Sequence, residues 1–263
     1  MRSRLPTPTQ PTNRSTTFQT KFLDSDLETR ILFDDGRLIA IDKPAGLETT
    51  GRDLDDKDCL QHFLIERAGR MAWAVHQLDR DTSGVVLFVT RKSSVAIISQ
   101  KMQQPGAKKL YLAFCRGLPT FERRLIDEPL AAPGGRRHER RAQRSNEPAS
   151  GAEDPLLKPA RTYIEVLARG HDAALVACTL LTGRTHQIRR HLANLGHALL
   201  GERLYAEPAC SRHQRHALHA WQLRLSGADE PNRFTAPLPG DLLALAEALG
   251  LDLHRALLRR DLL

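Results

Sequence analysis

Residues 76–90 read HQLDRDTSGVVLFVT, a polar loop that runs directly into an apolar segment. The apolar part, residues 85–90, predicts a buried strand because β-branched and aromatic side chains favour extended backbone. The polar part, residues 76–84, places charged side chains before that strand, and such loops commonly carry catalytic groups. The same composition also suits a plain turn in which Asp and Ser side chains bond the local backbone. This stretch alone leaves both interpretations open.

Short apolar runs separated by turn residues make up most of the remaining chain. Runs of β-branched and aromatic residues predict further strands at 38–42, 111–114, 162–167 and 174–181. Helical periodicity predicts four helices. The first covers 58–68, and the second follows a cap at Ser93 or Ser94. The third runs from about Thr185 to a stop at Gly196, and the last from a cap at Asp241 to Gly250. Strands outnumber helices and do not alternate regularly with them. This favours an α+β fold with a mixed, mainly antiparallel β-sheet and flanking helices.

A second polar segment, residues 182–191, reads TGRTHQIRRH. A glycine turn leads into a predicted helix whose first turns carry Arg184 and Arg189. The free N–H groups and the dipole of a helix N-terminus attract anions, and arginine adds charge-assisted contacts. Phosphate or carboxylate would be the natural ligand. An exposed basic helix face explains the same residues equally well.

Composition excludes several classes of protein. The 263 residues are 41% hydrophobic and 27% charged, as in ordinary soluble domains. Aromatic residues make up 5%, too few for the stacking surfaces of single-strand binding proteins. No charge-free apolar run approaches the ~18 residues of a membrane span. The formal net charge of +8 predicts a polyanionic partner.

This charge is unevenly distributed along the chain. Residues 1–23 hold four bases and no acid, and residues 136–144 hold five Arg and one Glu, so these two segments account for the whole excess. Residues 24–60 are acidic and residues 184–224 are basic. We expect the basic stretch to line the cleft that holds Asp79, and the Arg-rich loop to be an accessory contact for the partner.

Domain organisation follows from the same patterns. Residues 1–23 are predicted to be a disordered basic tail, residues 24–250 one folded domain that contains both polar segments, and residues 251–263 a C-terminal extension. Within the domain, residues 131–157 are predicted to be a mobile Arg-rich loop. The four cysteines form no CxxC pair, so buried thiols in a reducing cytosol are expected instead of a metal site. Without an apolar leader, a cytoplasmic location is expected.

Together the two polar segments resemble the RluA-type family of RNA pseudouridine synthases. The family pattern HRLDxxTSG corresponds to HQLDRDTSG at 76–84, and TGRTHQIRxHL is matched at 182–192. A third segment, GHALLGERLYA at 196–206, is similar to GHPIxGDxxYG. Weaker matches occur in the family's order, so that the resemblance covers roughly residues 30–240; they lie at 43–47, 109–113, 158–160, 218–220 and 234–237.

This resemblance implies a pseudouridine synthase fold with a central RNA-binding cleft, and isomerisation of uridine to pseudouridine without cofactor or metal. Asp79 corresponds to the catalytic carboxylate, and it could act either as nucleophile or as base. Arg189 corresponds to the arginine that pairs with it, since a guanidinium favours the charged carboxylate. Tyr111 corresponds to the tyrosine beside the flipped uracil.

The resemblance also implies a set of substrate-binding residues: His76, Gln77, Arg80, Thr82, Ser83, Gly84, Arg184 and His186. Gln77 departs from the family, which has Arg at this position. Glutamine is shorter and uncharged and cannot form a bidentate phosphate contact. We therefore expect weaker RNA binding or base flipping, unless the neighbouring Arg80 compensates.

The implied partner is ribosomal or transfer RNA, bound by a monomer without membrane contact.

The sequence also leaves two alternative functions open. The chain could be a non-catalytic RNA-binding protein on the same scaffold, which Gln77 alone favours. It could also be a metal-dependent nuclease or phosphoesterase, with a divalent metal held by a set of ligands comprising His76, Asp79, Asp81 and His186.

Overall fold

The computed structural model describes residues 24–53, 56–131, 157–228 and 231–258. The expected tail at 1–23 and positions 132–156 of the loop expected at 131–157 fall outside these residues; the two ends of that loop, Ala131 and Leu157, lie in strands. In the described part, no helix is long and apolar enough to cross a membrane. All four cysteines are free and buried, as predicted.

Strands dominate the described chain. They are β1 (Ile31–Asp34), β2 (Leu38–Lys43), β3 (Trp73–Ala74), β4 (Ser83–Val89), β5 (Lys108–Arg116), β6 (Arg123–Asp127), β7 (Leu130–Ala131), β8 (Leu157–Lys158), β9 (Arg161–Arg169), β10 (Ala173–Leu180), β11 (Leu218–Arg224) and β12 (Arg233–Thr235). The helices are α1 (Asp24–Glu28), α2 (Leu60–Ala68), α3 (Lys92–Lys101), α4 (Gln187–Asn194), α5 (Gly240–Ala248) and α6 (Leu253–Leu257).

Ten of these strands form one sheet, with β7 and β8 as a separate ribbon. The order is β1-β2-β4-β11-β5-β10-β9-β6, with β12 also paired to β11 and β3 to β4. In the described residues β4 and β11 run parallel and the other pairs are antiparallel. The predicted mixed, mainly antiparallel sheet with flanking helices is confirmed.

The sheet is covered on both faces, and β5 shows how the sequence achieves this. Successive side chains of a strand point to opposite faces. Tyr111 and Ala113 accordingly join one core cluster, which includes buried residues of α2 and α4. Leu112 and Phe114 join another, which includes Leu242 of α5. Burial of each large apolar side chain contributes roughly 1.5–3 kcal/mol, so β5 is a central structural element.

Gly84 permits the parallel contact between β4 and β11. Its φ is +114°, and a Cβ added there would lie 2.2 Å from the carbonyl oxygen of Ala220. Any side chain would therefore push the two backbones apart. Because β4 follows directly from the polar loop and β11 lies between β4 and β5, this close contact fixes the loop relative to Tyr111.

Several predicted helix starts were wrong. The helix predicted from Thr185 begins at Gln187, so Arg184 precedes it. Gln187 accepts hydrogen bonds from the Arg184 backbone N–H and the Thr182 hydroxyl, which hold residues 182–186 as a turn. At its N-cap, His186 adopts φ +54°, a conformation that is uncommon for non-glycine residues.

The two predicted caps were also wrong. Ser93 and Ser94 lie inside α3, because β4 ends at Val89 and the helical turn already begins at Arg91. Asp241 lies in the first turn of α5, and its carboxylate instead binds Arg215 at 2.8 Å. Nor is this the last helix, since α6 follows. Leu251 and Ala256, in the predicted extension, are buried in the second core cluster.

Candidate active site

A pocket of about 350 Å³ lies where the polar loop, β5 and the start of α4 meet. Its wall includes Asp79 from the loop, Tyr111 from β5 and Arg189 from α4. The predicted substrate-binding residues that also line it are His76, Gln77, Thr82, Arg184 and His186. The chain thus brings most of the residues predicted from the two polar segments into one cavity.

Asp79 and Arg189 are in contact across 110 positions of sequence. Nη1 of Arg189 donates to Oδ2 of Asp79 at 3.1 Å, which confirms the predicted tertiary pair. The Asp79 side chain keeps 27% of its surface exposed, whereas that of Arg189 keeps 9%. The carboxylate can therefore reach a ligand while its cationic partner remains in the protein.

Glu202 holds the other side of the Arg189 guanidinium. Its Oε2 accepts from Nε at 2.8 Å and its Oε1 from Nη2 at 3.0 Å. The Glu202 side chain is fully buried, and Oε1 also accepts from the backbone N–H of Leu204 at 2.8 Å. Burial alone would raise the pKa of Glu202, but the Arg189 hydrogen bonds outweigh it and the pKa is lowered. Glu202 is therefore an anion that fixes the plane of Arg189.

His186 faces the second oxygen of Asp79, with Nε2 3.5 Å from Oδ1. Its Nδ1 is 2.7 Å from the Tyr205 hydroxyl, and the Tyr205 ring lies against the Arg189 guanidinium, 5.3 Å from ring centroid to Cζ. Burial lowers the pKa of His186 despite the attraction of Asp79. A neutral imidazole next to Asp79 at pH 7 follows from this shift.

Tyr111 contributes a buried phenol to the pocket. Burial, and then the charge of Asp79, raise the pKa of this phenol. Its hydroxyl makes no hydrogen bond to the described residues, so a neutral donor is left for a ligand. The ring is fixed in β5, which pairs with β11 and β10 on either side.

A buried lysine holds the polar loop from beneath. The ammonium of Lys43, which is fully buried, donates to the carbonyl oxygens of Pro44, Leu47 and Arg80. All three of its donors are thereby used. Burial lowers the pKa of Lys43 to about 7. Lys43 thus joins the chain after β2 to the residue that follows Asp79.

Arg215 and His216 anchor the next part of the loop. Nη1 of Arg215 donates to the carbonyl oxygen of Asp81 at 2.9 Å, and Nε2 of His216 lies 2.9 Å from the Thr82 hydroxyl. Burial lowers the pKa of His216 to about 3, so its ring is neutral at pH 7. Because its flanking backbone is bonded on several sides, the Asp79 loop is preorganised.

Three predicted substrate-binding residues lie outside the pocket lining. Arg80 is exposed and its Nε donates to the carbonyl oxygen of Gly46 at 3.0 Å. Ser83 is buried, with its hydroxyl 2.9 Å from Nδ1 of His219. Gly84 lies in the sheet against β11. Their contacts hold the loop and sheet together.

His76 and Gln77 both line the pocket, and Gln77 is the more exposed of the two. Nε2 of His76 accepts from the backbone N–H of Leu87 at 3.2 Å, which places the proton of the neutral ring on Nδ1. Burial and the nearby Lys109 lower the pKa of His76 to about 4. Gln77 is exposed, and its amide nitrogen donates to the Thr50 hydroxyl at 3.1 Å.

The expected ligand set of a metal-dependent nuclease is not formed. In the part of the chain that the structure describes, no group of three His, Cys, Asp or Glu side chains is placed to hold a metal ion. The carboxylate of Asp79 is instead bound by a guanidinium, which would repel a cation. The residues present therefore do not support the nuclease alternative.

The basic stretch at 184–224 only partly lines the cleft. Arg184 and Arg189 do so, but Arg215 binds Asp241 and backbone carbonyls, and Arg212 pairs with Asp172 at the surface. The basic residues of this stretch thus make separate tertiary contacts. The prediction that they line the cleft is correct for Arg184 and Arg189.

Sequence reasoning assigned no role to several residues that build the site. Glu202 and Tyr205 lie in the third family-like segment at 196–206, and this match is the sequence feature that could have identified them as site residues. Lys43 lies in one of the weaker matches. Lys109 also lies in a weaker match, whereas Arg215 and His216 carry no local signal, because their roles depend on which strands become neighbours.

Comparisons with known proteins agree with this geometry. Residues 37–194 match the sequence profile of the family described as RNA pseudouridylate synthase. The chain is 33% identical to the dual-specificity RNA pseudouridine synthase RluA of Escherichia coli K12 over 214 residues, which cover 80% of this chain and 93% of that protein. It is 34% identical to ribosomal large subunit pseudouridine synthase D of Nitrosomonas europaea over 235 residues, covering 84% of this chain but only 65% of that protein.

A solved structure supports the fold. Human RNA pseudouridylate synthase domain containing 4 superposes with a TM-score of 0.70 at 23% identity, covering 87% of this chain and 96% of that one. At this identity the likeness concerns the fold alone. The family profile spans more than half of the chain and includes both polar segments. This chain therefore belongs to the RNA pseudouridylate synthase family, whose members are isomerases.

Proposed function

We propose that this protein converts specific uridines of structured RNA into pseudouridine, with Asp79 as the catalytic carboxylate. The observation that carries the proposal is the placement of Asp79, which lies in a pocket beside Tyr111 and is held by Arg189. In the reaction the N1–C1′ bond of uridine breaks, the base turns and a C5–C1′ bond forms. The C5 proton leaves to solvent and N1 gains a proton, so no oxidant or group donor is required.

Asp79 must be ionised whether it attacks C1′ or removes a ribose proton. Arg189, which stays protonated, places a fixed positive charge 3.1 Å from it. The bound loop keeps the carboxylate from rotating away, because an anchored group needs little reorganisation when the substrate arrives. Both roles for Asp79 fit this arrangement.

Tyr111 suits the place of a residue beside the flipped uracil. Its ring is immobilised in the central sheet, and its unshared hydroxyl could donate to a carbonyl of the base or relay a proton to it. A pocket of about 350 Å³ has the size of a small-ligand site, so it can enclose one nucleoside but not the RNA helix around it. The target uridine must therefore leave its stack, as in other base-modifying enzymes.

The class of RNA substrate is proposed from the family and from the positive net charge of the chain. One relative is named for the ribosomal large subunit, and the family resemblance implies ribosomal or transfer RNA, so these are the expected substrate class. We propose that a monomer in the cytoplasm acts on this RNA without a cofactor. Gln77, Arg184 and His186 would contact it at the pocket mouth.

The test uses RNA labelled with tritium at uridine C5, with release to water as the measure of turnover. We expect release in the presence of a chelator, and its loss in Asp79→Asn. Asp81→Asn is the matched control, because Asp81 is exposed and its side chain is outside the pocket lining. Absence of release from every cellular RNA pool would overturn the enzyme proposal and favour a non-catalytic RNA-binding protein. Release that requires a metal would contradict the proposed cofactor-free reaction.

A further inference from the structure

We propose that a groove adjoining the catalytic pocket binds the RNA nucleotide next to the target uridine, with Lys109 contacting its phosphate. This inference rests on the proposed function, since it concerns the same RNA. The groove has a volume of about 740 Å³ and lies between the turn at 103–107, before β5, and residues 180–184, after β10. It shares Met102, Lys109 and Arg184 with the pocket, so the two cavities form one continuous cleft.

The charges of the groove select for an anion. Its lining contains Lys109 and Arg184 and, among the described residues, no carboxylate. Amides and a hydroxyl from Gln103, Gln104 and Ser99 supply further hydrogen-bonding groups. A cavity with cationic and neutral polar groups but no acid suits a phosphate and a ribose.

Lys109 is the specific reason for placing the phosphate at the junction. Its side chain is partly buried, and it makes no hydrogen bond or ion pair with any described residue. Burial lowers its pKa, because the ammonium is desolvated without compensation. Lys43, also buried, uses all three donors on backbone carbonyls. An incoming phosphate would give Lys109 the compensation that it lacks in the free protein.

Arg184 offers a second contact farther out. Its Nε donates to the carbonyl oxygen of Pro159 at 2.9 Å, which fixes the side chain. The residue is exposed, and it forms no salt bridge with the described residues. The other nitrogens of its guanidinium can therefore bind a phosphate oxygen at the rim.

The spacing along β5 suits one nucleotide step. Lys109 and Tyr111 are two residues apart and line the same pocket, so their Cα atoms are separated by roughly 7 Å along the strand. This is comparable to the length of one sugar–phosphate unit. A uracil beside Tyr111 would therefore leave a neighbouring phosphate within reach of Lys109.

The experiment measures binding of a synthetic stem–loop RNA that carries a single C5-tritiated uridine in its loop, together with single-turnover conversion of that uridine. We expect Lys109→Gln to raise Kd about tenfold and to reduce the salt slope by about 1, the signature of one lost phosphate contact. The loss should appear in Kd, with at most about a threefold fall in the rate at saturating enzyme. Lys109→Arg should restore most of the binding, which excludes a folding defect.

Lys108→Gln is the matched control, because Lys108 is the adjacent residue of β5 and faces a separate cavity with Arg123 and Glu165. It removes the same charge and should change Kd less than twofold. A second probe replaces single phosphates flanking the uridine by uncharged methylphosphonates. One of these RNAs should bind the wild-type protein as weakly as Lys109→Gln binds normal RNA, with no further loss when the two changes are combined.

Equal Kd values for Lys109→Gln and Lys108→Gln would overturn the subsite. The subsite would also be overturned if Lys109→Gln and every methylphosphonate gave additive losses of affinity, because Lys109 would then contact none of the phosphates tested. A collapse of the saturating rate at unchanged Kd would place Lys109 in the chemical step instead. Failure of the proposed function is distinguishable, because a wild-type protein without turnover would still give RNA binding curves for all variants.

Discussion

Glu202 binds Arg189 through both carboxylate oxygens, at 2.8 Å to Nε and 3.0 Å to Nη2. This bidentate pair leaves Nη1 as the nitrogen that contacts Asp79, at 3.1 Å. The guanidinium plane, and with it the position of the contact to Asp79, is therefore set by a fully buried acid that does not line the pocket. Glu202 is a positioning residue in this arrangement.

Replacing Glu202 by Gln should lower both stability and activity. Breaking a buried ion pair on one side typically costs about 3–5 kcal/mol, because the remaining charge is left uncompensated. Asp79 would still partly neutralise Arg189, so we expect the free energy of unfolding, measured by urea denaturation, to fall by about 3 kcal/mol, the lower end of that range. The single-turnover rate should fall about tenfold or more because Arg189 can rotate.

Asp172→Asn provides the comparison for that experiment, since Asp172 pairs with Arg212 at the exposed surface. Surface pairs contribute about 0–1 kcal/mol, and this variant should retain wild-type turnover. If Glu202→Gln and Asp172→Asn had equal stability and rate, the positioning role of Glu202 would be wrong. Loss of stability with an unchanged rate would reduce Glu202 to a structural ion pair.

Gly84→Ala should be strongly destabilising. Its Cβ would lie 2.2 Å from the Ala220 carbonyl oxygen, and alanine is disfavoured at φ +114°. We expect a loss of more than about 3 kcal/mol, among the largest effects of a single methyl group. Gly240→Ala is the control, because its added Cβ meets nothing within 4 Å and its φ is not in the left-handed region. Similar unfolding midpoints for the two variants would contradict the close β4–β11 contact.

Stability should decrease as the pH falls below about 6.5. Burial lowers the pKa of His76 and His219 to about 4, and that of His216 to about 3. Between pH 6.5 and 4 the unfolded chain therefore binds more protons than the folded protein, and the free energy of unfolding falls with pH. Each such histidine contributes up to about 1.4 kcal/mol per pH unit. Asp42 opposes this trend, because burial raises its pKa to about 6 and the folded protein takes up its proton first.

Urea denaturation at pH 7, 6 and 5 measures this slope. His219 is the informative site, because its Nε2 lies 3.2 Å from the Ala236 carbonyl oxygen and its Nδ1 2.9 Å from the Ser83 hydroxyl. The carbonyl can only accept, so the neutral ring carries its proton on Nε2. His219→Gln should be less stable at pH 7 but should show a shallower decline toward pH 5. An equal or steeper decline would show that His219 does not contribute to the acid sensitivity.

Strands and helices could be predicted from apolar runs and from helical periodicity, but the residues at which they begin and end could not. The β-branched run at 85–90 predicted β4 because both faces of that strand are covered. The predicted caps at Ser93 or Ser94 and at Asp241 were wrong, because both helices begin before these residues. Asp241, for example, has the local chemistry of a cap but is bound by Arg215 from a distant segment.

Residues of the candidate site could be predicted from the sequence only where they lie in the family-like motifs. The Asp79–Arg189 contact joins residues from the two polar segments, and the family resemblance predicted it. The roles of Lys43 and Arg215 could not be predicted from local sequence, because they bind backbone carbonyls and a carbonyl carries no sequence signal. Lys109 lies in a weaker match to the family, but its place where the pocket meets the groove depends on the fold.

Gln77→Arg should strengthen RNA binding. Gln77 is exposed at the pocket and bonds the neutral Thr50 hydroxyl, so an arginine there would have no acid to displace among its present contacts. It would add a cation where the family pattern has one, and one extra phosphate contact steepens the salt dependence by about 1. We expect Kd to fall several-fold in fluorescence titrations against the stem–loop at several salt concentrations.

Arg80→Gln tests whether the neighbouring arginine substitutes for the missing one. Arg80 is bound to the Gly46 carbonyl and lies outside the pocket lining, so its loss should affect RNA binding less than Gln77→Arg improves it. A large loss in Arg80→Gln would instead support compensation by Arg80. Unchanged binding and turnover in Gln77→Arg would show that this position matters little in this protein, because an arginine restored to the family position would then contact no part of the RNA that limits binding or flipping.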